Sequence, residues 1–256
     1  MTPFDAIILG IVEGATEFLP VSSTGHLVLV NHLLGNAPTD FAKTFEIVIQ
    51  FGSILAVLAL YWRSFLQVET LQKLVVAFIP TGLIGLALYP LVKTYLLESI
   101  PTVLGALFVG GVVLIVFDYF HSQHPEEELS QKPMRYRDAF LIGLFQSLAI
   151  VPGVSRSAAT ILGGLALGFS RATIVEFSFL LAVPTLLAAS GLDLFKNGLV
   201  FTDGEWVSLF IGFVVSFIVA LISIRWLITY VRSHSFTSFG VYRILLAVVF
   251  IIFFLP

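Results

Sequence analysis

The chain has 256 residues, of which 58% are hydrophobic and only 11% charged, with 13 Lys+Arg against 16 Asp+Glu. Soluble domains carry about 25% charged residues, and mean hydropathy here is +1.02; composition therefore excludes a water-soluble globular domain, a disordered chain and nucleic-acid binding through a basic surface. With no cysteine, disulfides, thiolate metal sites and cysteine nucleophiles are excluded too, which leaves a polytopic helical membrane protein whose chemistry rests on Ser, His, Asp, Glu and Arg.

The first segment, MTPFDAIILGIVEGATEF, has no basic start and carries Asp5, Glu13 and Glu17 where a signal peptide is apolar, so it reads as retained. Residues 6–19 make a helix of about 21 Å at about 1.5 Å per residue, too short to span, and it stops at Pro20. Uncharged runs at 47–62, 74–92 and 99–117 predict three spans. A polar connector, 119–137, follows; there His121 and His124 beside Glu126, Glu127 and Glu128 read as a solvated loop rather than a metal site. A second short opening, 139–151, stops at Pro152, and spans follow at 177–192, 206–224 and 237–256. The last contains Arg243, which requires that side chain to lie near the interface or to snorkel toward it.

The halves, about 1–118 and 138–256, repeat one another within a single membrane domain. DAIILGIVEGATEFLPVSSTGH from Asp5 aligns with DAFLIGLFQSLAIVPGVSRSAAT from Asp138, pairing Gly10 with Gly143 and, after a one-residue slip, Pro20 with Pro152 and Ser23 with Ser155. If the short openings are re-entrant hairpins, Arg63, Lys73, Lys132, Arg135, Arg137, Arg171, Arg225, Arg232 and Arg243 share one side against Lys43, Lys93 and Lys196 on the other. If they cross, the charges divide evenly, so the positive-inside rule favours hairpins. The predicted fold is an all-α integral membrane protein of six transmembrane helices plus two re-entrant helical hairpins in an inverted-topology repeat, with the basic side cytoplasmic.

Irregular backbone at membrane depth survives only around a wet or protein-lined cavity, so both tips, 20–26 and 152–157, are expected to meet at one. A helix start with free N–H groups, hydroxyls and Arg156 is an anion site suited to phosphate, with Ser22, Thr24, Ser155 and Ser157 as further ligands. Glu13 and Glu17, four apart, share a helix face; they suit Mg²⁺ or Ca²⁺ held against substrate oxygens, or one of them a proton acceptor. Ser23 with His26 in reach gives a nucleophile and a proton carrier. The competing reading of a broken-helix inverted repeat is a transporter or flippase of a phosphorylated lipid or other anion.

EGATEFLPVSSTGH (Glu13 to His26) and PGVSRSAAT (Pro152 to Thr160) resemble the two signature segments of the undecaprenyl-diphosphate phosphatases, the bacitracin-resistance proteins. The similarity extends through KTFEIVIQFGSILAVL and EFSFLLAVP to essentially the whole chain. It implies a multi-pass enzyme of the bacterial cytoplasmic (inner) membrane, its site opening to the outer, periplasmic side. Such an enzyme hydrolyses undecaprenyl diphosphate, and shorter prenyl diphosphates, to the monophosphate and inorganic phosphate with a divalent cation, recycling the lipid carrier of cell-wall synthesis; a homodimer is compatible with it. Carried over, the catalytic positions are Glu13, Glu17, Ser23, His26 and Arg156. Ala158 departs from the glycine frequent there in the family. Whether Ser23, His26 or water attacks phosphorus is open at this level.

Overall fold

A computed structural model describes residues 1–37, 39–96, 99–121, 132–198, 202 and 204–254. All regular structure among them is helical: α1 (Pro3–Thr16), α2 (Ser23–Leu33), α3 (Asp40–Tyr61), α4 (Val68–Tyr95), α5 (Ile100–His121), α6 (Tyr136–Gln146), α7 (Arg156–Ala166), α8 (Arg171–Asn197), α9 (Trp206–Val231) and α10 (Thr237–Phe254). Six of these, α3, α4, α5, α8, α9 and α10, are long and apolar enough to cross a bilayer. The other four are 11 to 14 residues long and are not. The order of two short helices and three long ones thus occurs twice. The His124 and Glu126 to Glu128 patch falls outside the described residues.

Local sequence starts each short pair in the same way. At α1 the Asp5 carboxylate accepts from Thr2 N at 2.7 Å, and at α6 Asp138 accepts from Arg135 N at 3.1 Å, each capping its helix from the third position. At the breaks, Ser22 and Ser155 cap α2 and α7, their hydroxyls accepting from Gly25 N and Ala158 N. They are the two non-glycine residues with positive φ among those described, at 73° and 79°.

These matches hold one register throughout: Asp5 with Asp138, Gly10 with Gly143 and Ser22 with Ser155. The slip that pairs Pro20 with Pro152 is therefore corrected. A proline stops a helix wherever it falls near the end, whereas a strained cap fixes one position. The equivalents of Ser23 and His26 become Arg156 and Ala159, and that of Glu13 becomes Gln146.

The two halves pack reciprocally, α1 on α9 of the second half and α6 on α4 of the first. Small residues permit this in a bilayer, where close van der Waals contact drives association. A methyl on Gly10 would sit 2.9 Å from Gly212 O and one on Gly14 2.6 Å from Ser216 O, so α1 and α9 run parallel. Gly143 abuts Ala77 while Tyr136 bonds Gln72, so α6 runs parallel to α4. Each second short helix turns back toward the end where its partner began: Leu27, Val30 and Leu34 share a hydrophobic cluster with Met1, Ala6 and Leu9, and Lys132 donates to Leu167 O. At the centre, α5 and α10 cross where Gly111 and Gly240 each face the other's carbonyl.

Arg243 is not at an interface. It is fully buried beside that crossing, so the charge count that favours hairpins becomes eight against three. Its guanidinium reaches backbone carbonyls of Pro20, Gly153, Val154, Ala106 and Leu107 at 2.8 to 3.3 Å. A charged side chain in apolar surroundings is tolerated when every donor is satisfied, and here every one is.

Candidate active site

The two breaks face each other. Residues 17–22 lead from α1 into the Ser22 cap, and 151–155 lead into the Ser155 cap, so α2 and α7 both begin at the meeting point. The first two amides of each helix precede the capped third and have no acceptor in the helical ladder, and they add the positive end of a helix dipole to the site. Holding a non-glycine residue at positive φ costs about 1–3 kcal/mol; here it turns the chain sharply enough to bring Ser23 and Arg156, at equivalent first helical positions, toward one carboxylate.

That carboxylate is Glu17, at the C-terminal end of α1. Its Oε2 accepts a hydrogen bond from Ser23 Oγ, and its Oε1 accepts from Arg156 at 2.8 Å, with all three side chains buried or nearly so. Arg156 also donates to Ser178 O at 2.8 Å and lies over the Phe18 ring at 5.8 Å, which fixes the guanidinium plane. Its Nε is buried and has no partner. One donor of the strongest anion ligand in the site is therefore unspent.

Glu13 lies one turn back on the same face of α1, fully buried, and neither of its oxygens has a hydrogen-bond partner. A buried carboxylate without a donor is costly, and a second carboxylate one turn away adds repulsion. The chemistry of this pair fits a hard divalent cation, which takes oxygen ligands and keeps several from water and substrate. Among the described residues no three His, Asp or Glu side chains converge. A cation there would be held by Glu13 and Glu17.

A cavity of about 690 Å³ adjoins the site. Glu17, Ser22, Ser23, Thr24, Ser155 and Arg156 form its polar end, Gln50, Thr81, Gln146 and Thr185 add a second polar group, and much of the remaining wall is apolar residues of α4 and α8, from Phe78 to Leu86 and from Leu186 to Leu192. It therefore suits a ligand with a charged head and a long apolar body.

Four expected residues sit differently from the sequence reading. Ser157, expected on phosphate, donates instead to Phe18 O at 2.7 Å and ties one tip to the other; it does not line the cavity. Its proton is thus spent on protein. His26 Nδ1–H donates to Ser22 O at 2.7 Å, and Nε2 pairs with Tyr242 OH at 2.7 Å, the two rings stacked within 7°. Ser23, expected to hand its proton to His26, is bonded to Glu17. Glu13, like His26, lies behind the cavity wall rather than in it.

Sequence reasoning missed Tyr242, Ser178 and the network in which Gln146 donates to Thr81 at 2.9 Å and Thr185 at 3.1 Å. The one available signal was the adjacent pair Tyr242 and Arg243 in an otherwise apolar helix.

Fold and site together define a multi-pass helical membrane protein whose buried charges converge on the head of an apolar cavity. The family described as bacitracin resistance protein BacA matches residues 6–249, and the chain belongs to that family. Undecaprenyl-diphosphatases are among its relatives: that of Sulfurihydrogenibium sp. is 50% identical over 250 residues, 98% of both chains. Those of Aquifex aeolicus and Thermus thermophilus are 49% and 46% identical, covering all of this chain and 100% and 98% of their own.

Proposed function

We propose that the protein is an undecaprenyl-diphosphate phosphatase, releasing inorganic phosphate and undecaprenyl phosphate. The observation that carries this is the Ser23–Glu17–Arg156 triangle at the head of an apolar cavity. It brings a hydroxyl, its proton acceptor and a phosphate ligand to one point. Family membership favours it over the transporter or flippase reading, which requires release of an unchanged substrate.

The lipid tail lies along α4 and α8 and the diphosphate meets the tips. Arg156, through its unspent Nε and its terminal nitrogens, and the free amides of α2 and α7 bind the phosphate oxygens. As phosphate takes over Arg156, Glu17 is released from its ion pair and accepts the Ser23 proton. Ser23 Oγ then forms a bond to the terminal phosphorus as the bridging P–O bond breaks, and the lipid monophosphate leaves. Water hydrolyses the phosphoseryl group, returning the proton to Ser23 and freeing inorganic phosphate. Thr24 and the hydroxyls of Ser22 and Ser155 border the phosphate, while His26 braces the strained cap through Ser22 O. A Mg²⁺ or Ca²⁺ ion on Glu13 and Glu17 would neutralise charge on the diphosphate.

Several observations favour re-entrant hairpins in an inverted repeat within one membrane domain. The parallel pairs α1/α9 and α4/α6, the return of α2 and α7, and the reciprocal packing all fit that topology. The basic excess at one end supports a cytoplasmic location for it. The cavity extends to Tyr89 and Leu192, toward the other end, which favours an outward-opening site in the inner membrane. Shorter prenyl diphosphates fit the same head group, and a homodimer is compatible with the large apolar surface.

The test is phosphate release from farnesyl and undecaprenyl diphosphate by detergent-purified protein with Mg²⁺, Ca²⁺ or EDTA, alongside Arg156→Ala. Metal-dependent release lost in the variant is expected. No release from folded wild type overturns the reading in favour of transport.

A further inference from the structure

Arg243 stands outside the triangle, touches neither Ser23 nor Glu17, and does not line the cavity. An arginine carries five N–H donors in a rigid fork, and here each has a different backbone carbonyl. Nε donates to Leu107 O at 3.3 Å, one terminal nitrogen to Pro20 O and Val154 O at 3.1 and 3.0 Å, and the other to Ala106 O and Gly153 O at 3.0 and 2.8 Å. The acceptors come from the first tip, the second tip and the first half of α5. Gly110 makes the room, since a methyl there would overlap the guanidinium.

We propose that Arg243 is a positioning residue for catalysis, its guanidinium joining the carbonyls of both tips to α5 so that Ser23 and Arg156 meet at Glu17. A carboxylate partner would satisfy the charge equally well but would hold only one element. Five carbonyls from three elements fix the separation of two segments that have no regular backbone ladder between them. Gly153, at φ 93°, turns its carbonyl into this cluster. Tyr242, the preceding residue on α10, holds His26 and so braces the first tip from the same helix.

The proposal rests on the phosphatase reading, and the experiment separates the two. Wild type, Arg243→Lys, Gly110→Ala and Arg156→Ala are purified in detergent, assayed for phosphate release from farnesyl diphosphate, and followed by hydrogen–deuterium exchange. Lysine keeps the charge but has three donors, and Gly110→Ala keeps the arginine but displaces it, so one variant remains informative if the other fails to fold. Misplacement of reacting groups by about 1 Å costs about 100-fold. We expect kcat per folded molecule to fall by about that factor in Arg243→Lys, with KM changed less than about threefold. Exchange should accelerate in residues 18–24 and 150–156 while α3 and α9 stay protected. Unchanged kcat and unchanged exchange in the tips overturn the proposal, as does faster exchange spread through the whole protein. Absence of turnover in wild type overturns the phosphatase reading alone, because tip exchange still reports what Arg243 holds.

Discussion

Glu13 and Gln146 occupy equivalent places, eight residues after the Asp that caps each short helix, yet their surroundings are opposite. Gln146 donates both amide hydrogens, to Thr81 and Thr185. Glu13 is as deeply buried and its oxygens have no hydrogen-bond partner. Similarly, the first residue after the strained cap is Ser23 in one half and Arg156 in the other, and the residue opposite Glu17 is Ile150. The backbone device was kept in duplicate while the side chains were divided. One tip carries acid and hydroxyl; the other carries the cation that meets them. A buried group left unsatisfied at one of two otherwise matched positions marks where stability is given up for chemistry.

The sharpest way to break this comparison is to remove the groups that meet across it. Arg156→Ala and Glu17→Gln should each lower kcat/KM by about 10³-fold, the loss expected when a charge-stabilising group is removed from a preorganised site. Phosphate release is the measurement, and an active Arg156→Ala would show that the second tip is scaffold only. Ser23→Ala should fail to trap labelled phosphate; full activity there would transfer the attack to water or His26. Next in size is a reciprocal exchange at the matched positions. Glu13→Gln should lose divalent-cation dependence and about 100-fold in rate, yet thermal unfolding in detergent should be unchanged or raised, because an orphaned carboxylate is replaced by an amide. Gln146→Glu should destabilise by about 2–3 kcal/mol, since two half-buried hydroxyls lose their donor and a charge enters a fully buried position. The opposite ranking of the two unfolding midpoints would mean that Glu13 is held by contacts of its own.

Much of the architecture is legible in sequence because a bilayer demands long uncharged runs. The six spans fall where hydropathy places them, and the two breaks contain Pro20 and Pro152, although the preceding α-helices already end at Thr16 and Gln146. Helix ends extend beyond the uncharged runs, as at α8, which begins at Arg171 rather than residue 177, because polar residues continue a helix into the interface. Glu17, Ser23 and Arg156 were identifiable as intramembrane polar groups that a carboxylate–arginine pair could join, but the bond from Ser23 to Glu17 was not. Ser23 and His26 lie one turn apart in sequence, so local reasoning joined them. Tyr242, more than two hundred residues away, takes His26 instead. Arg243 was visible but misplaced for the same reason: an arginine in an apolar helix can snorkel or be buried, and the deciding carbonyls belong to the distant tips. The register error had a different origin. Proline marks a helix end only loosely, whereas positive φ at Ser22 and Ser155 has no signature in a serine.

The smallest expected effect tests whether the two caps are equivalent in energy as they are in shape. Each serine contributes a hydroxyl that accepts a helical amide and each holds a φ that an L-residue adopts at a cost. Alanine removes the cap and keeps the strain, so Ser155→Ala should lower stability by about 1 kcal/mol. Glycine removes the cap and relieves the strain, so Ser155→Gly should stay within about 0.5 kcal/mol of wild type. Ser22 should rank its variants in the same order, because it holds the same conformation. His26 Nδ1–H also bonds Ser22 O, however, and no such bond braces Ser155, whose counterpart of His26 is Ala159. The first cap is therefore held in its strained form by a neighbour, and glycine there should recover less of the loss than at 155. Unfolding midpoints of the four variants measure this difference directly, and equal recovery at both caps would show that His26 contributes nothing to the backbone it touches.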